Sequence, residues 1–483
     1  MSTQRSYTSP TGLAGLAMVV LLTGCAVGPD YKRPDVPLPA AYPGAAGGSA
    51  TAQPAALAAD WWKLYNDATL NDLVASALQN NTDLHRAVAQ IDEAQAVLDE
   101  ASSTLFPELD LGASSSRSRS STLNAQPLPS NVPVISNSNR LALSTSFELD
   151  FWGKLRRASQ AARAQVLSSH YARDVIALSV AGTTTQSYFT LRALDAQIAV
   201  TQDILKSRDE SLAVIKNRAA GGLASDLDVN QAQVARADAS LQLRDLQRQR
   251  ALMEHQLGLL TGKLDLKVAT GDVMTLPMPS LPPVGLPSTL LQRRPDVQQA
   301  EQALIAANAE IGVSRASQFP TFSLTGDFGG QSAKLSNILK SGARIWSVGL
   351  NGLMPIFDAG KYAARTRQAE AVQRQAVAGY EKTVQTAFKD VADALTNVEQ
   401  TNAAATDIQS KVEAARNVLR LSQLRYDAGY SAYLDVLDAQ RTANSAELAL
   451  VQNYQLLLIY SVDLMKALGG GWSANQAAPM ARR

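Results

Sequence analysis

The sequence predicts a mainly α-helical protein that also carries two amphipathic β-hairpins, with the same series of elements written twice in one chain. Three observations predict it: an internal repeat, two very long proline-free runs, and four short segments in which apolar and polar residues alternate. The repeat is read directly. Asn81-Thr-Asp-Leu84, followed by a helical run to Pro107, returns as Arg294-Pro-Asp-Val297 and a run to Pro320, all 213 positions later. Arg218-Ala-Ala-Gly-Gly222 with Leu227-Asp-Val229 returns as Arg425-Tyr-Asp-Ala-Gly429 with Leu434-Asp-Val436, now 207 positions later. Gly153-Lys154 and Gly360-Lys361 are already 207 apart, so the six-residue difference falls inside the hairpin, where the first copy has the longer loop. Repetition of one long unit points to an architecture built by stacking, not to an enzyme cleft.

Composition narrows the class. Aromatic residues make up only 6% of the 483 residues, while Ala and Gln are abundant, as in long helices packed through small side chains. A net charge of +1 gives no general attraction to nucleic acid. The three histidines, His85, His170 and His255, have no metal-ligand spacing, so no metal is expected. No nucleophile–base pair or phosphate loop is recognisable, and no enzyme activity or cofactor is expected.

At the N-terminus, Arg5 precedes an apolar run from Leu13 to Leu22 that is too short to span a bilayer and reads as a signal peptide over residues 1–24. The run ends in Leu22-Thr-Gly-Cys25, and Cys25 is the only cysteine in the chain. The pattern resembles a bacterial lipobox, which implies S-diacylglycerol and N-palmitoyl groups on Cys25. Several acyl chains anchor stably, each buried CH2 contributing roughly 0.8 kcal/mol. Ala26 follows where aspartate would retain a lipoprotein at the inner membrane in many Gram-negative bacteria, which favours the outer membrane. Residues 25–60 are rich in Pro, Ala and Gly and read as an extended tether with no core of its own.

The first repeat is expected over 61–275. Trp61 and Trp62 precede a short helix near Thr69–Gln79 and a longer one from Asp83 to about Leu105, which Pro107 stops. The period then changes to two. Strands are expected at about 107–117 and 139–151, separated by a Ser, Asn and Pro-rich loop from Ser114 to Asn139. A proline-free helix follows over 153–218, about 100 Å long at 1.5 Å per residue, then a glycine turn and a return helix at 226–261. A Pro-rich linker at 276–287 leads to the second repeat, 288–468. It contains a helix, strands at about 320–330 and 344–357, a long helix at 360–426 and a return helix at 432–468. Helices of that length must form a rod or tube. The tail, 469–483, begins Gly469-Gly-Gly471 and reads as flexible.

Each strand has one apolar and one polar face, and its length suits a tilted transmembrane strand. Phe328 and Trp346 are candidates for an aromatic belt, whereas Trp61 and Trp62 precede the strands by some forty residues and read as packed. Four such strands cannot stand alone in lipid, because an open sheet leaves N–H and C=O groups unpaired in hydrocarbon. Three copies would close a barrel of twelve strands with a lumen; two would close eight strands around a filled interior.

The segments Gly24-Cys-Ala-Val-Gly-Pro-Asp-Tyr-Lys-Arg-Pro34, Trp61-Trp62, Arg294-Pro-Asp-Val297 through Phe319-Pro320, and Leu434-Asp-Val-Leu-Asp-Ala-Gln440 carry a resemblance. The chain resembles the TolC-like outer membrane factors, specifically the acylated OprM/NodT branch. That resemblance implies a homotrimer, a twelve-stranded outer-membrane β-barrel continuous with a long periplasmic α-helical barrel, and a mixed equatorial region. It implies residence in the outer membrane of a Gram-negative bacterium, lipid-anchored and membrane-spanning. It also implies two partners, a periplasmic adaptor and an inner-membrane pump of the RND type, with the channel a passive exit duct for small molecules such as drugs. The alternatives are a duct of the same fold for protein secretion, and a structural envelope lipoprotein.

The tight turns at Arg218–Asp228 and Arg425–Asp438 are expected at the periplasmic tip. Acids in first helical turns also meet the macrodipole, so capping is the competing reading of these residues. The resemblance implies that Asp228, Tyr426, Asp435 and Asp438 take part in closing the channel, and the tip turns with Arg218, Gly222, Arg425 and Gly429 are expected to contact the adaptor. Ser431 is neutral where some relatives carry a charge.

Overall fold

The computed structural model describes residues 26–39, 41–42, 58–123, 129, 132–281 and 290–472. The expected signal peptide, Cys25 and the end of the tail lie outside the described residues. The chain divides into two compact units. One holds Ile91–Ser169 and Ala300–Tyr380 with the described part of Met1–Pro34, and contains the sheet. The other holds the described parts of Asp35–Gln90, His170–Gln299 and Glu381–Arg483 and contains no strand among its described residues.

The elements run in the expected order. They are α1 (Ala68–Asn80), α2 (Thr82–Ser103), β1 (Glu108–Arg119), β2 (Ile135–Leu149), α3 (Lys154–Ala220), α4 (Asp226–Thr261), α5 (Pro295–Ala316), β3 (Thr321–Ser332), β4 (Arg344–Leu353), α6 (Lys361–Asp427) and α7 (Tyr433–Ala467). The helix starts are encoded locally. Asp67 accepts the Leu70 amide at 2.8 Å to begin α1, and Asn81 accepts the Asp83 amide at 2.9 Å to begin α2. Asp150 accepts the amides of Leu155 and Arg156, and Asp358 those of Gly360 and Tyr362, so both long helices start on an aspartate. Pro295, which lacks an N–H, occupies the first position of α5, where no intrahelical donor is needed.

In the first unit the strands form one antiparallel sheet in the order β1-β2-β3-β4. The register merges four separate alternations into one two-faced surface. Leu111 pairs with Leu143, Leu143 with Phe328, and Phe328 with Trp346, all on the apolar face. Asp110 pairs with Ser144, Ser144 with Asp327, and Asp327 with Ser347 on the polar face. On that face Arg140 bonds Asp327 at 2.8 Å, and Ser347 donates to Asp327 at 3.2 Å. The apolar face is uncovered in the single chain: Leu109 is 68% exposed, Phe328 62%, Trp346 76% and Val348 73%.

Several boundaries differ from the sequence expectations. The expected loop from Ser114 to Asn139 is much shorter, because Ser114–Arg119 pairs in register with Arg140–Ile135. Ser115 donates to Asn139 at 2.8 Å across this stretch. Backbone ladders do not need apolar side chains, so strands continue where the apolar signal stops. β4 ends at Leu353, short of 357, because Pro355 has no N–H to give a ladder. The tether residues 26–39 are extended but docked: the Val27 amide donates to Trp152 O, Arg157 bonds Asp30, and Tyr31 and Arg33 both bond Glu301. Tyr42 is buried and stacked on Phe388 at 5.1 Å. The expected linker at 276–287 begins as core, with Leu276 buried and Met278 and Leu281 packed beside it.

The second unit has its core around Trp61, Tyr65, Leu70, Phe189, Leu257 and Leu458. Trp61 is therefore a core residue. α7 is the one described helix long and apolar enough to cross a membrane, yet Leu458, Val462 and Met465 on it are buried in this core. The tail does not become free at Gly469. Gly469, Gly470 and Gly471 have φ of +93, +57 and +74, and they turn the chain so that the Trp472 indole donates to Asp174 at 2.9 Å. Arg294 of the sequence motif is 9% exposed, bonds Asp296 at 2.7 Å and Asp390 at 3.0 Å, and donates to Ala467 O at the end of α7.

Removing both carboxylates with Asp296→Ala and Asp390→Ala leaves that guanidinium unpaired and is expected to destabilise the protein by on the order of 3–5 kcal/mol. Arg294→Met removes the charge together with its burial penalty and is expected to cost less. Thermal unfolding of the purified variants checks the ranking.

Candidate functional site

The two helical tips are near-copies at the level of the backbone. α3 closes on Gly222 at φ +75, with the Gly222 amide donating to Ala219 O at 2.9 Å and the Leu223 amide to Arg218 O at 2.8 Å. α6 closes on Gly429 at φ +79, with the Gly429 amide donating to Tyr426 O at 3.0 Å and the Tyr430 amide to Arg425 O at 2.8 Å. A side chain with a Cβ is disfavoured at a φ of this sign, which accounts for glycine at both positions. A substituent at either glycine would meet nothing within 4 Å, so the requirement is conformational and not steric contact.

The side chains then break the symmetry. Ser225 caps α4: its hydroxyl accepts the Asp228 amide at 3.2 Å, and Asp228 accepts the Ser225 amide at 3.0 Å and hydroxyl at 2.8 Å. This reciprocal capping box occupies the Asp228 carboxylate. The matching position to Ser225 is Ala432, which has no side-chain cap to offer. Asp435, the counterpart of Asp228, is exposed and makes no side-chain hydrogen bond or ion pair with another described residue. Asp438, one turn on, is exposed and pairs only with Arg441 on its own helix, at 2.6 Å. The spacing of three places Asp435 and Asp438 on neighbouring positions of one helical face.

A second set of contacts ties the two tips together. The Arg218 guanidinium lies over the Tyr426 ring, 4.9 Å from its centroid, and its Nη1 is 3.7 Å from the Asp427 carboxylate. Tyr426 packs against Tyr433 at 5.4 Å, and Tyr433, Val436, Ile215 and Ala232 form a buried cluster joining α3, α4 and α7. Burial pushes the Tyr433 phenol above its ordinary pKa, with the Arg208 charge opposing the shift. Arg425 is exposed, as are Leu223 and Tyr430 at the turns, at 78% and 79%.

Of the residues singled out in the sequence, Tyr426 and Arg218 are therefore in direct contact. Asp435 and Asp438 share a face, and Asp228 is committed to its cap. The sequence reading does not single out Asp427, Ser225 or Tyr433. Ser225-x-x-Asp228 carries a recognisable capping-box spacing, whereas nothing local to Asp427 signals a partner 209 positions away. The described residues hold no cluster of His, Cys, Asp and Glu that could bind a metal ion.

Comparison with known proteins places these features in context. The family profile described as "Outer membrane efflux protein" matches residues 73–263 and 286–470. The chain is 35% identical over 463 residues to the solvent efflux pump outer membrane protein SrpC of Pseudomonas putida, covering 95% of this chain and 98% of that one. It is 35% identical over 477 residues to the outer membrane protein OprJ of Pseudomonas aeruginosa, covering 96% and 97% of the two chains. Among solved structures, the Campylobacter jejuni CmeC outer membrane channel superposes with a TM-score of 0.87 at 26% identity, over 93% of this chain and 96% of that one.

Ser225→Ala removes the cap from α4 and is expected to lower local stability by about 1 kcal/mol, with faster amide exchange at Asp228 and Val229. Asp435→Ala, which breaks no cap, is expected to leave exchange at its own helix start unchanged.

Proposed function

The chain belongs to the outer membrane efflux protein family, and on that footing we propose that it is the exit duct of a tripartite efflux assembly, closed at rest by the tips of its helices. It is an outer-membrane efflux channel with a mostly helical TolC-like fold and a small sheet. The observation that carries the duct reading is the sheet. Its apolar face is continuous and uncovered in one chain, while its opposite face holds Ser144, Asp327, Ser347 and Arg140, side chains suited to a watery lumen.

Both outer strands have an open edge, and three copies would close them into twelve strands. The helices of the three chains would form the periplasmic tube. Diacylglycerol and palmitoyl groups on Cys25 would anchor each chain, with residues 26–39 leading from the anchor to the docked contacts at Glu301 and Arg157. A periplasmic adaptor and an inner-membrane pump of the RND type would supply the solute and the energy. Gly222, Arg425 and Gly429 would face the adaptor together with exposed Leu223 and Tyr430, whereas the Arg218 side chain is already engaged with Tyr426 and Asp427.

Threefold symmetry would make rings of Asp435 and of Asp438, which attract cations and raise the field at a constriction. With Ser431 neutral, the Arg218–Tyr426–Asp427 tie would do the holding that a charged residue at that position could do. Small organic solutes are the favoured cargo, since SrpC is a solvent efflux protein and the family is named for efflux. Deleting the gene should lower tolerance to solvents or drugs; loss of a secreted protein with tolerance intact would favour the secretion reading instead.

Two measurements on single channels in a planar bilayer test the gate. Asp435→Ala with Asp438→Ala should raise conductance and lower cation selectivity; unchanged values of both would remove these acids from the gate. Arg218→Ala should raise the open probability, and Arg218→Lys should restore part of the closure, because a cation over the Tyr426 ring is retained.

A further inference from the structure

Arg208, on α3, is buried at 7% exposure, and its guanidinium makes no hydrogen bond or ion pair with any described residue. Its Nη1 is fully enclosed and unpartnered. Arginine stays charged in proteins, so a buried guanidinium without an acceptor is an unpaired charge and strongly unfavourable unless something negative reaches it. Burial lowers the Arg208 pKa, which is the sign of a desolvated cation. The neighbouring charges have other partners: Asp209 bonds Arg236 at 2.8 Å, and Asp438 bonds Arg441 at 2.6 Å. Asp238 is exposed and does not come within ion-pair distance of Arg208.

The same arginine lines a cleft of about 560 Å³ formed by α3, α4 and α7. Gln231, Gln242 and Asn444 also line it, and none of these amides has a hydrogen-bond partner among the described residues. Each can turn an N–H toward the cleft. Arg441 adds a second guanidinium to the lining. Asp238 and Asp438 line the cleft as well, but neither is within ion-pair distance of Arg208 and Asp438 is paired with Arg441, so space, unpaired amide donors and an unneutralised buried cation occur together.

We propose that Arg208 and this cleft form a binding site for a small inorganic anion, with chloride the natural occupant in a salt-exposed compartment. The bound anion accepts hydrogen bonds from Arg208 and from the amides of the lining, and it holds α3, α4 and α7 together behind the tips. The cleft adjoins the gate, since Asp438 is part of its lining, but the anion site does not depend on the gating assignment.

The test uses the full-length protein purified in detergent. Thermal unfolding is followed as sodium gluconate is replaced by sodium chloride at constant ionic strength. The wild type is expected to show a saturable rise in melting temperature that Arg208→Met abolishes, with Arg208→Met the more stable of the two without halide. Crystals of the wild type soaked in bromide are expected to show anomalous signal at hydrogen-bond distance from Arg208. A wild-type melting temperature that ignores chloride overturns the proposal. So does an Arg208 paired in the crystal with a carboxylate from Asp238 or from a second copy of the chain. Should Arg208→Met fail to fold, Arg208→Gln and the bromide crystal decide the question in the same way.

Discussion

The constraint on which the rest depends is the hydrogen-bonding capacity of the β1 and β4 edges. Each strand in the sheet has ten or more residues, and the order β1-β2-β3-β4 leaves one side of the first and of the last unpaired. In water these edges would be solvated; in hydrocarbon each unsatisfied group costs several kcal/mol. The apolar face, bearing Leu111, Leu143, Phe328 and Trp346, places the sheet in hydrocarbon and so makes the edge problem unavoidable. The proposed closure by further copies of the same chain would satisfy both edges and would let a two-hairpin chain make a pore.

The helical unit holds its long helices together with contacts of two kinds. Where permanence is needed the contacts are buried and multiply bonded. Arg294 is held by two carboxylates and a carbonyl, and Asp195 accepts from Arg250 and from the Gly271 amide. At the tips the contacts are fewer and wetter: a cation over a ring, one long ion pair, and a small cluster around Tyr433. A cation–π contact at a partly exposed site is worth about 0.5–1 kcal/mol, a scale that a docking partner can overcome. The two turns share a backbone, yet Ser225 locks Asp228 whereas Ala432 leaves Asp435 free. The backbone turn is the same at both tips, and the side chains make one a capped tip and the other a tip whose Asp435 is uncommitted.

Periodicity and punctuation made most of the elements legible. The change from helical to alternating spacing after Pro107 and Pro320 located all four strands, and Gly222 and Gly429 located both turns. What escaped was set by backbone or by long-range contact. The Ser-rich ends of β1 and β2 pair through main-chain ladders that side-chain polarity conceals. Gly469–Gly471 reads as a loose end, yet it delivers Trp472 to Asp174, 298 positions earlier. Among candidate site residues, the shared face of Asp435 and Asp438 was visible from their spacing, whereas a role in closing the channel was implied only by the resemblance. The contact of Arg218 with Tyr426 and Asp427 was not, because it joins the two repeats and no local pattern encodes it. An unpaired Arg208 is likewise invisible until burial is known.

Closure of the sheet, edge to edge, by three copies of the chain is tested most directly by cross-linking β1 to β4. Cys25 is the sole cysteine, so pairs can be introduced freely: Asp110→Cys or Ser114→Cys on β1, each combined with Ser347→Cys or Asn351→Cys on β4. Oxidation of the protein in its membrane, followed by mass determination in detergent, should give for at least one pair a closed, reducible species of three chains. A product that stops at two chains, or chains that remain single under every pairing, would contradict closure by a trimer.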